Sequence, residues 1–396
     1  MRMNLRVATG VLPPEARGTR SFLRSRITAA AMMTGMALLF NGLALAQEGS
    51  VGAVYTATNA PAGNSVLIFS RSASGALTSA GSISTQGNGL GVGLCSQGSV
   101  MLSPDGKWLL VVNAGSNDVT VFSVSNSGLE FRSRTGSGGS TPVSITILGD
   151  VVYVLNRGAT PPALVLPSVA GFRLGPQGTL TAIPGALQTL SNAQFPAQVA
   201  FAPKGGLLVV TDINASLIFT LQVNNDVAGV PVSHQSAGLN PFGFSFDGLN
   251  QLLVSEANLS GISSVSSYDV TAGGALNTVT ASATTFQSQA CWLVVTRDGK
   301  FAYVSDPGSF AITGFAVAPD GRLSIVDSTG VSAPLGSGSS PFDIGLTANS
   351  QFLYSLVISS TDSITGWRTN LADGSLVFAG SVSGGIPSYA SGIAVH

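Results

Sequence analysis

Hydrophobic and polar positions along this chain alternate in short runs rather than at helical spacing. The stretch 100–124, VMLSPDGKWLLVVNAGSNDVTVFSV, sets the pattern. It reads as strand, tight turn, strand, short loop, strand. In the first turn Pro104 fixes φ, and Gly106 takes the position that needs a positive φ. Residues 108–113 and 119–124 are β-rich runs. The same phrase returns, degraded, at 199–223, 294–317 and 344–369. First turns fall near Asp105, Asp150, Gly205, Gly248, Gly299 and Asn349. Their spacing of roughly 45 to 55 residues is that of a four-stranded propeller blade.

The pattern predicts an all-β chain, a seven-bladed β-propeller of four-stranded blades. Units begin near 98, 141, 195, 240, 289 and 340. A further unit at 52–89 lacks a first strand with its turn. The terminal run 392–395 is the missing strand, so chain end and chain start complete one blade and leave no open edge. Six or eight blades remain open as counts, because the Pro-rich unit at 141–191 is irregular. No helix beyond a turn or two is expected.

Composition agrees with many tight turns: 49 Gly, and only 17 basic and 18 acidic residues in 396. No basic patch is present, so nucleic acid is not an expected partner. The N-terminus reads as a secretory signal. Arg17, Arg20, Arg24 and Arg26 precede the apolar, acid-free run 27–45, and Ala44-Leu45-Ala46 is a small-x-small cleavage site. The expected organisation is a signal peptide at 1–46 and the propeller at 47–396, with the mature protein periplasmic or secreted and free of the membrane. The mature chain carries 11 basic and 17 acidic groups, a net charge of −6. Export permits a disulfide, but Cys95 and Cys291 alone do not define one. A bridge and two free thiols both stay open.

The phrase at 103–124, with tails such as Asp320-Gly321-Arg322-Leu323 and Asp373-Gly374-Ser375-Leu376, resembles the seven-bladed propeller lactonases. That family includes the propeller type of 6-phosphogluconolactonase and the carboxymuconate-lactonising enzymes. Ser96-Gln97-Gly98, Pro196-Ala197-Gln198, Pro241-Phe242-Gly243-Phe244, Ser255-Glu256-Ala257 and Cys291-Trp292 look like an exported bacterial branch of it. The resemblance implies a hydrolase or lactonising site, with a lactone or sugar acid as ligand. In lactonising members a Pro-Arg-His phrase opens one innermost strand and an Asn-Glu-Leu phrase ends the next. Here the first reads Pro241-Phe242-Gly243 and the second Ser255-Glu256-Ala257. Only the Glu survives, which implies a degenerate catalytic site.

Blade geometry nominates the site residues. An innermost strand starts, and the second strand ends, on one face. Phe242 and Glu256 lie fourteen positions apart, as do Gln198 and Asp212, Pro142 and Asn156, and Trp292 and Asp306. Asn113, Asn156, Asp212, Glu256, Asp306 and Asp343 are therefore expected to converge around the channel mouth, with Gln97, Gln198, Phe242 and Trp292 beside them. Asn and Asp at strand ends also cap turns, so each has a structural reading. Glu is poor in a turn and weak in a strand, which makes Glu256 the expected catalytic base. Arg157 is the expected anion anchor, with a surface salt bridge as its plainer reading. His234 falls in a run that reads as an outer strand or loop, and His396 is the last residue, so Ser-His-Asp catalysis is not expected. His/Cys clusters for zinc are lacking. A calcium or magnesium ion held by the acidic ring is the one cofactor worth testing. The expected function is a lactonase-like propeller that binds a small ligand or protein partner at its channel mouth. Lactone hydrolysis or lactonisation through Glu256 and Arg157 is the alternative, and an envelope scaffold with protein partners is a third reading.

Overall fold

The computed structural model describes residues 49–160 and 162–396. The expected signal segment lies outside these residues. The described chain forms seven antiparallel sheets, five of four strands and two of five. Blade 1 runs outward as Ser391–Val395, Gly52–Ala57, Ser65–Arg71 and Leu77–Ser84. The C-terminal strand therefore lies innermost in the first blade, with Val54 opposite Val395 and Ala57 opposite Ser391. Blade 2 runs Val100–Leu102, Trp108–Asn113, Asp118–Ser125 and Gly128–Gly136. Blade 3 runs Pro142–Leu148, Val151–Asn156, Ser168–Leu174 and Leu180–Thr189.

Blade 4 opens with Pro196–Phe201, Leu207–Asp212 and Leu217–Asn224. Its outer edge is split into Val227–Ala228 and Val232–Gln235. Blade 5 runs Pro241–Phe246, Gln251–Glu256, Ser264–Val270 and Leu276–Thr284. Blade 6 opens with Leu293–Val295, Phe301–Asp306 and Ala311–Val317, and its outer edge is split into Leu323–Ile325 and Ala333–Pro334. Blade 7 runs Ser340–Leu346, Phe352–Ile358, Ser363–Thr369 and Leu376–Ser383. No helix occurs among these elements.

Second strands are the most apolar part of each blade and are buried on both faces. Outer strands mix half-buried and exposed positions, with near-alternation in Gly128–Gly136. The core consists of apolar layers between neighbouring blades. One such layer joins Leu110, Val112 and Val121 of blade 2 to Ile145, Val152 and Phe172 of blade 3. Another joins Tyr303 and Ile312 of blade 6 to Leu353 and Trp367 of blade 7.

Charge is segregated between the two ends of the ring. Connections at the end where innermost strands begin contain Arg157 and Asp362 as their only charged residues, among those described. Connections at the opposite end carry Asp105, Lys107, Asp150, Lys204, Asp226, Asp247, Arg297, Asp298, Lys300, Asp320, Arg322 and Asp373.

Candidate functional site

A loop closes the channel at the uncharged end. The long connection from Ser84 to Val100 brings 94–98 across the mouth. Leu94 N–H donates to Ser391 Oγ of blade 1 (3.3 Å). Ser96 Oγ donates to the Val143 carbonyl of blade 3 (2.8 Å). The Gln97 N–H donates to Ala197 O of blade 4 (3.2 Å). On the far side, Gln97 Oε1 accepts from Leu293 N–H (3.0 Å) while its Nε2 donates to Leu293 O (2.8 Å). Trp292 Nε1 donates to Ser96 O (2.8 Å). Gly243 makes room for this clamp, since a Cβ there would stand 2.2 Å from Gln97 Oε1. Gln97, expected to meet a ligand, is thus a structural tie from blade 2 to blade 6. Gln198 behaves alike, pairing with Phe244 N–H (2.7 Å) and Phe244 O (2.9 Å) in the neighbouring blade.

The residues ending the second strands do not line the channel. Asn113, Asn156, Asp212, Glu256 and Asp306 share one end of the ring, but each is wholly buried. Asn113 bonds Asn64, Thr85, Asp118 and Thr120. Asn156 donates to Ser137 O (3.1 Å). Asp212 accepts three backbone N–H groups, from Gln194, Phe195 and Ala215, each at 2.8 Å. Asp306 accepts from Thr313 Oγ1 (2.7 Å), and burial pushes its carboxyl well above the usual range. These side chains brace the connections around the strand ends. The fourteen-residue offset places backbones on one face, but the second strand stands one strand spacing, about 4.8 Å, out from the innermost one. Asp212 caps its connection with backbone N–H bonds, whereas Glu256 and Asp306 are held by hydroxyls of the neighbouring strands.

Glu256 is the clearest correction. Its carboxylate accepts from Gly238 N–H (2.7 Å), Ser264 Oγ (2.5 Å), Ser266 Oγ (2.5 Å) and Ser282 Oγ (3.2 Å). Ser236 Oγ lies at 3.4 Å. The expected base is caged by donors and does not face a cavity. The acidic ring expected to hold calcium or magnesium is not assembled either. Among the described residues no group of three or more His, Cys, Asp or Glu is gathered for a metal. His234 sits in the outer strand as expected, its Nε2 2.8 Å from Thr220 Oγ1.

Two of the nominated residues, Arg157 and Asp343, remain at the mouth. Arg157 stands over the Phe195 ring, 3.9 Å from its centroid. Its Nε donates to Pro196 O (3.2 Å) and its Nη2 to Cys95 O (3.0 Å). Burial lowers its pKa to about 10, which the nearby Cys95 and Asp212 oppose. A guanidinium has five N–H donors, so two bonds leave capacity for a ligand. Asp343 lies on the innermost strand of blade 7, and its Oδ2 accepts from Gly392 N–H (2.9 Å). Burial raises its carboxyl to about 7. Trp292 stacks edge-to-face between Phe242 (4.9 Å) and Phe342 (5.1 Å), so both nominated aromatics serve the core under the plug.

Cys95 was not nominated. It adopts a positive φ of 48° at the centre of the plug and reaches solvent although protein crowds it on most sides. Burial raises its thiol, Asp343 adds to the rise and Arg157 opposes it. Cys291 is buried, and both thiols are free. The glycine-rich length of 85–99 was the available signal for a plug, since connections this long carry structure of their own.

Residues 62–161 match the family model described as lactonase, 7-bladed beta-propeller. Over that stretch the chain is similar to the seven-bladed propeller lactonases. Among solved structures, a Bacteroides uniformis protein described as a candidate 6-phosphogluconolactonase is similar at 18% identity. It covers 86% of this chain and 99% of its own, with a TM-score of 0.67. A Lactobacillus plantarum protein is 16% identical over 84% of this chain and 95% of its own, TM-score 0.67. A periplasmic gluconolactonase of Pseudomonas aeruginosa is 19% identical over 70% and 82%, TM-score 0.54. No curated protein matches the chain. At these identities the structural likeness carries the propeller itself, and the mouth residues must speak for the chemistry.

Proposed function

We propose that this lactonase-like propeller is exported and binds a small sugar acid or its lactone at the plugged channel mouth, with Arg157 as the anion anchor. The observation that carries the reading is Arg157 itself. It is a cation held over Phe195, with donor capacity to spare, on a face whose connections offer no other positive charge. Among the described residues it is the lone cation of these connections, and such a charge concentrates a small anion without drawing polyanions. Two of the similar structures are a candidate 6-phosphogluconolactonase and a periplasmic gluconolactonase. The apolar, acid-free run ending in Ala44-Leu45-Ala46 supports export.

Titration calorimetry with gluconate and glucono-lactone tests it. The wild type binds both. Arg157→Met weakens gluconate about tenfold or more, and the lactone less, because a charge-assisted bond to a carboxylate is the stronger one. Equal affinities in the two proteins would overturn the proposal.

Asp343 favours lactone hydrolysis as a second reading. A carboxyl held at about 7 near Cys95 is tuned for proton transfer near neutral pH. Turnover that rises with an apparent pKa near 7 in wild type and vanishes in Asp343→Asn is its signature.

A further inference from the structure

The serine cage around Glu256 has a counterpart two blades on, and there the carboxylate is missing. The register makes the equivalence residue by residue. In blade 5, Pro241 pairs with Glu256, Glu256 with Ser264, and Ser264 with Thr284. In blade 7, Pro341 pairs with Val357, Val357 with Ser363, and Ser363 with Ser383. Ser266 and Ser282 correspond to Thr365 and Ser381. The three strand hydroxyls of the cage are kept, Ser236 of the preceding connection gives way to Gly336, and the acid they surround is a valine.

Two further observations show that the place is open. The outer edge of blade 6 is broken at 326–332, which leaves the facing side of blade 7 uncovered. A groove of about 490 Å³ lies there, bounded by Ser363, Thr365, Ser381 and Ser383 above and by Trp367 and Phe378 below. Ser332 Oγ, on the blade 6 side of the same groove, is buried with no hydrogen-bond partner. The blade 7 hydroxyls bond mainly one another, Thr365 to Ser381 at 3.1 Å and Ser363 to Thr365 at 3.4 Å. No charged side chain lines the groove. Asp362, in the flanking connection, accepts from Ser359 N–H (2.9 Å).

We infer that this groove is a second binding site, for a small carboxylate carrying an apolar or aromatic body. The ligand's carboxylate takes the position that Glu256 fills in blade 5, received by Ser363, Thr365 and Ser381, with Ser332 as a further donor. Its body lies against Phe378, which is 64% exposed, and over the edge of Trp367. Convergent hydroxyl donors satisfy a carboxylate without a cation, as the blade 5 cage does within the same molecule. An aromatic floor beside a few convergent polar groups is the make-up of a small-molecule site.

The test uses benzoate, with benzyl alcohol and methyl glucoside as neutral controls, titrated by calorimetry into the full chain carrying Arg157→Met. That background silences the channel mouth, so the two sites are judged separately. Benzoate is expected to bind at least tenfold tighter than benzyl alcohol. Val357→Glu, which rebuilds the blade 5 cage with an internal acid, is expected to abolish benzoate binding. Thr365→Val with Ser381→Ala is expected to weaken it at least tenfold, and this pair decides the matter should Val357→Glu not fold. Equal binding of benzoate and benzyl alcohol, preference for methyl glucoside, no binding of any probe, or benzoate affinity unchanged in the hydroxyl variants would each overturn the inference.

Discussion

Single positions in this propeller divide into those that brace and those that face solvent. Sequence type alone does not separate them. Asn113, Asp212 and Glu256 look like site residues because polar groups at strand ends are scarce in so apolar a chain. Burial and partner counts show that they satisfy backbone and hydroxyl donors instead. Glu256→Ala leaves four hydroxyls and a backbone N–H around a hole, and is expected to cost about 2–4 kcal/mol of stability. Ligand affinity at the mouth should be unchanged. Denaturant unfolding and calorimetry on one preparation check both halves.

Asp343 gives the pH dependence a sign. Its folded carboxyl is raised to about 7 from an ordinary 3.8 by burial. The folded state therefore holds this proton more tightly than the unfolded chain. Its contribution to stability is greatest below the ordinary carboxylate range and is lost as pH rises toward 7. Asp343→Asn keeps an acceptor for Gly392 N–H without the ionisation. The variant should flatten that part of the stability profile and gain on the order of 2–4 kcal/mol over wild type at pH 8. Denaturation midpoints at pH 5 and pH 8 read it; a parallel pair of profiles would show that Asp343 does not titrate in this range.

At the scale of elements, the repeated phrase carried most of the information. Period-2 alternation, Pro-Asp-Gly turns and the missing first strand at 52 were enough to give seven blades and the closure by the C-terminal strand. Ring closure is legible because an unpaired strand must find a partner, and the sequence offers one. The plug was not legible in that way. Residues 94–98 have no periodicity, and their partners Val143, Ala197, Trp292 and Leu293 are set by three-dimensional proximity alone. The broken outer edge of blade 6 was hidden for the same reason, since the turn Asp320-Gly321 preserves the repeat while 326–332 leaves the sheet. Removing 388–396 takes the innermost strand from blade 1 and exposes the edge of Gly52–Ala57. The melting temperature is expected to fall by about 10 °C or more. An unchanged melting temperature would mean that the pairing contributes nothing.

Taken whole, the ring is polarised. Turns at one end hold nearly all the loop charge in local pairs such as Lys107 with Asp105 and Arg322 with Asp320. The connections at the other end carry only Arg157 and Asp362 as charged residues among those described, with Arg157 against the plug. That division follows from the repeat, since the first turns, Asp-Gly-Lys in blades 2 and 6 and degraded elsewhere, fall at the same end in six of the seven blades. The mouth is free of this constraint and can differ from blade to blade. The central claim is that Arg157, at the neutral end, is where a small acid binds. The most direct measurement is the crystal structure of the protein soaked with gluconate. The account predicts density for the carboxylate within hydrogen-bond distance of the Arg157 guanidinium, over the plug at Cys95. A well-occupied gluconate elsewhere, with the Arg157 donors left to water, would contradict it.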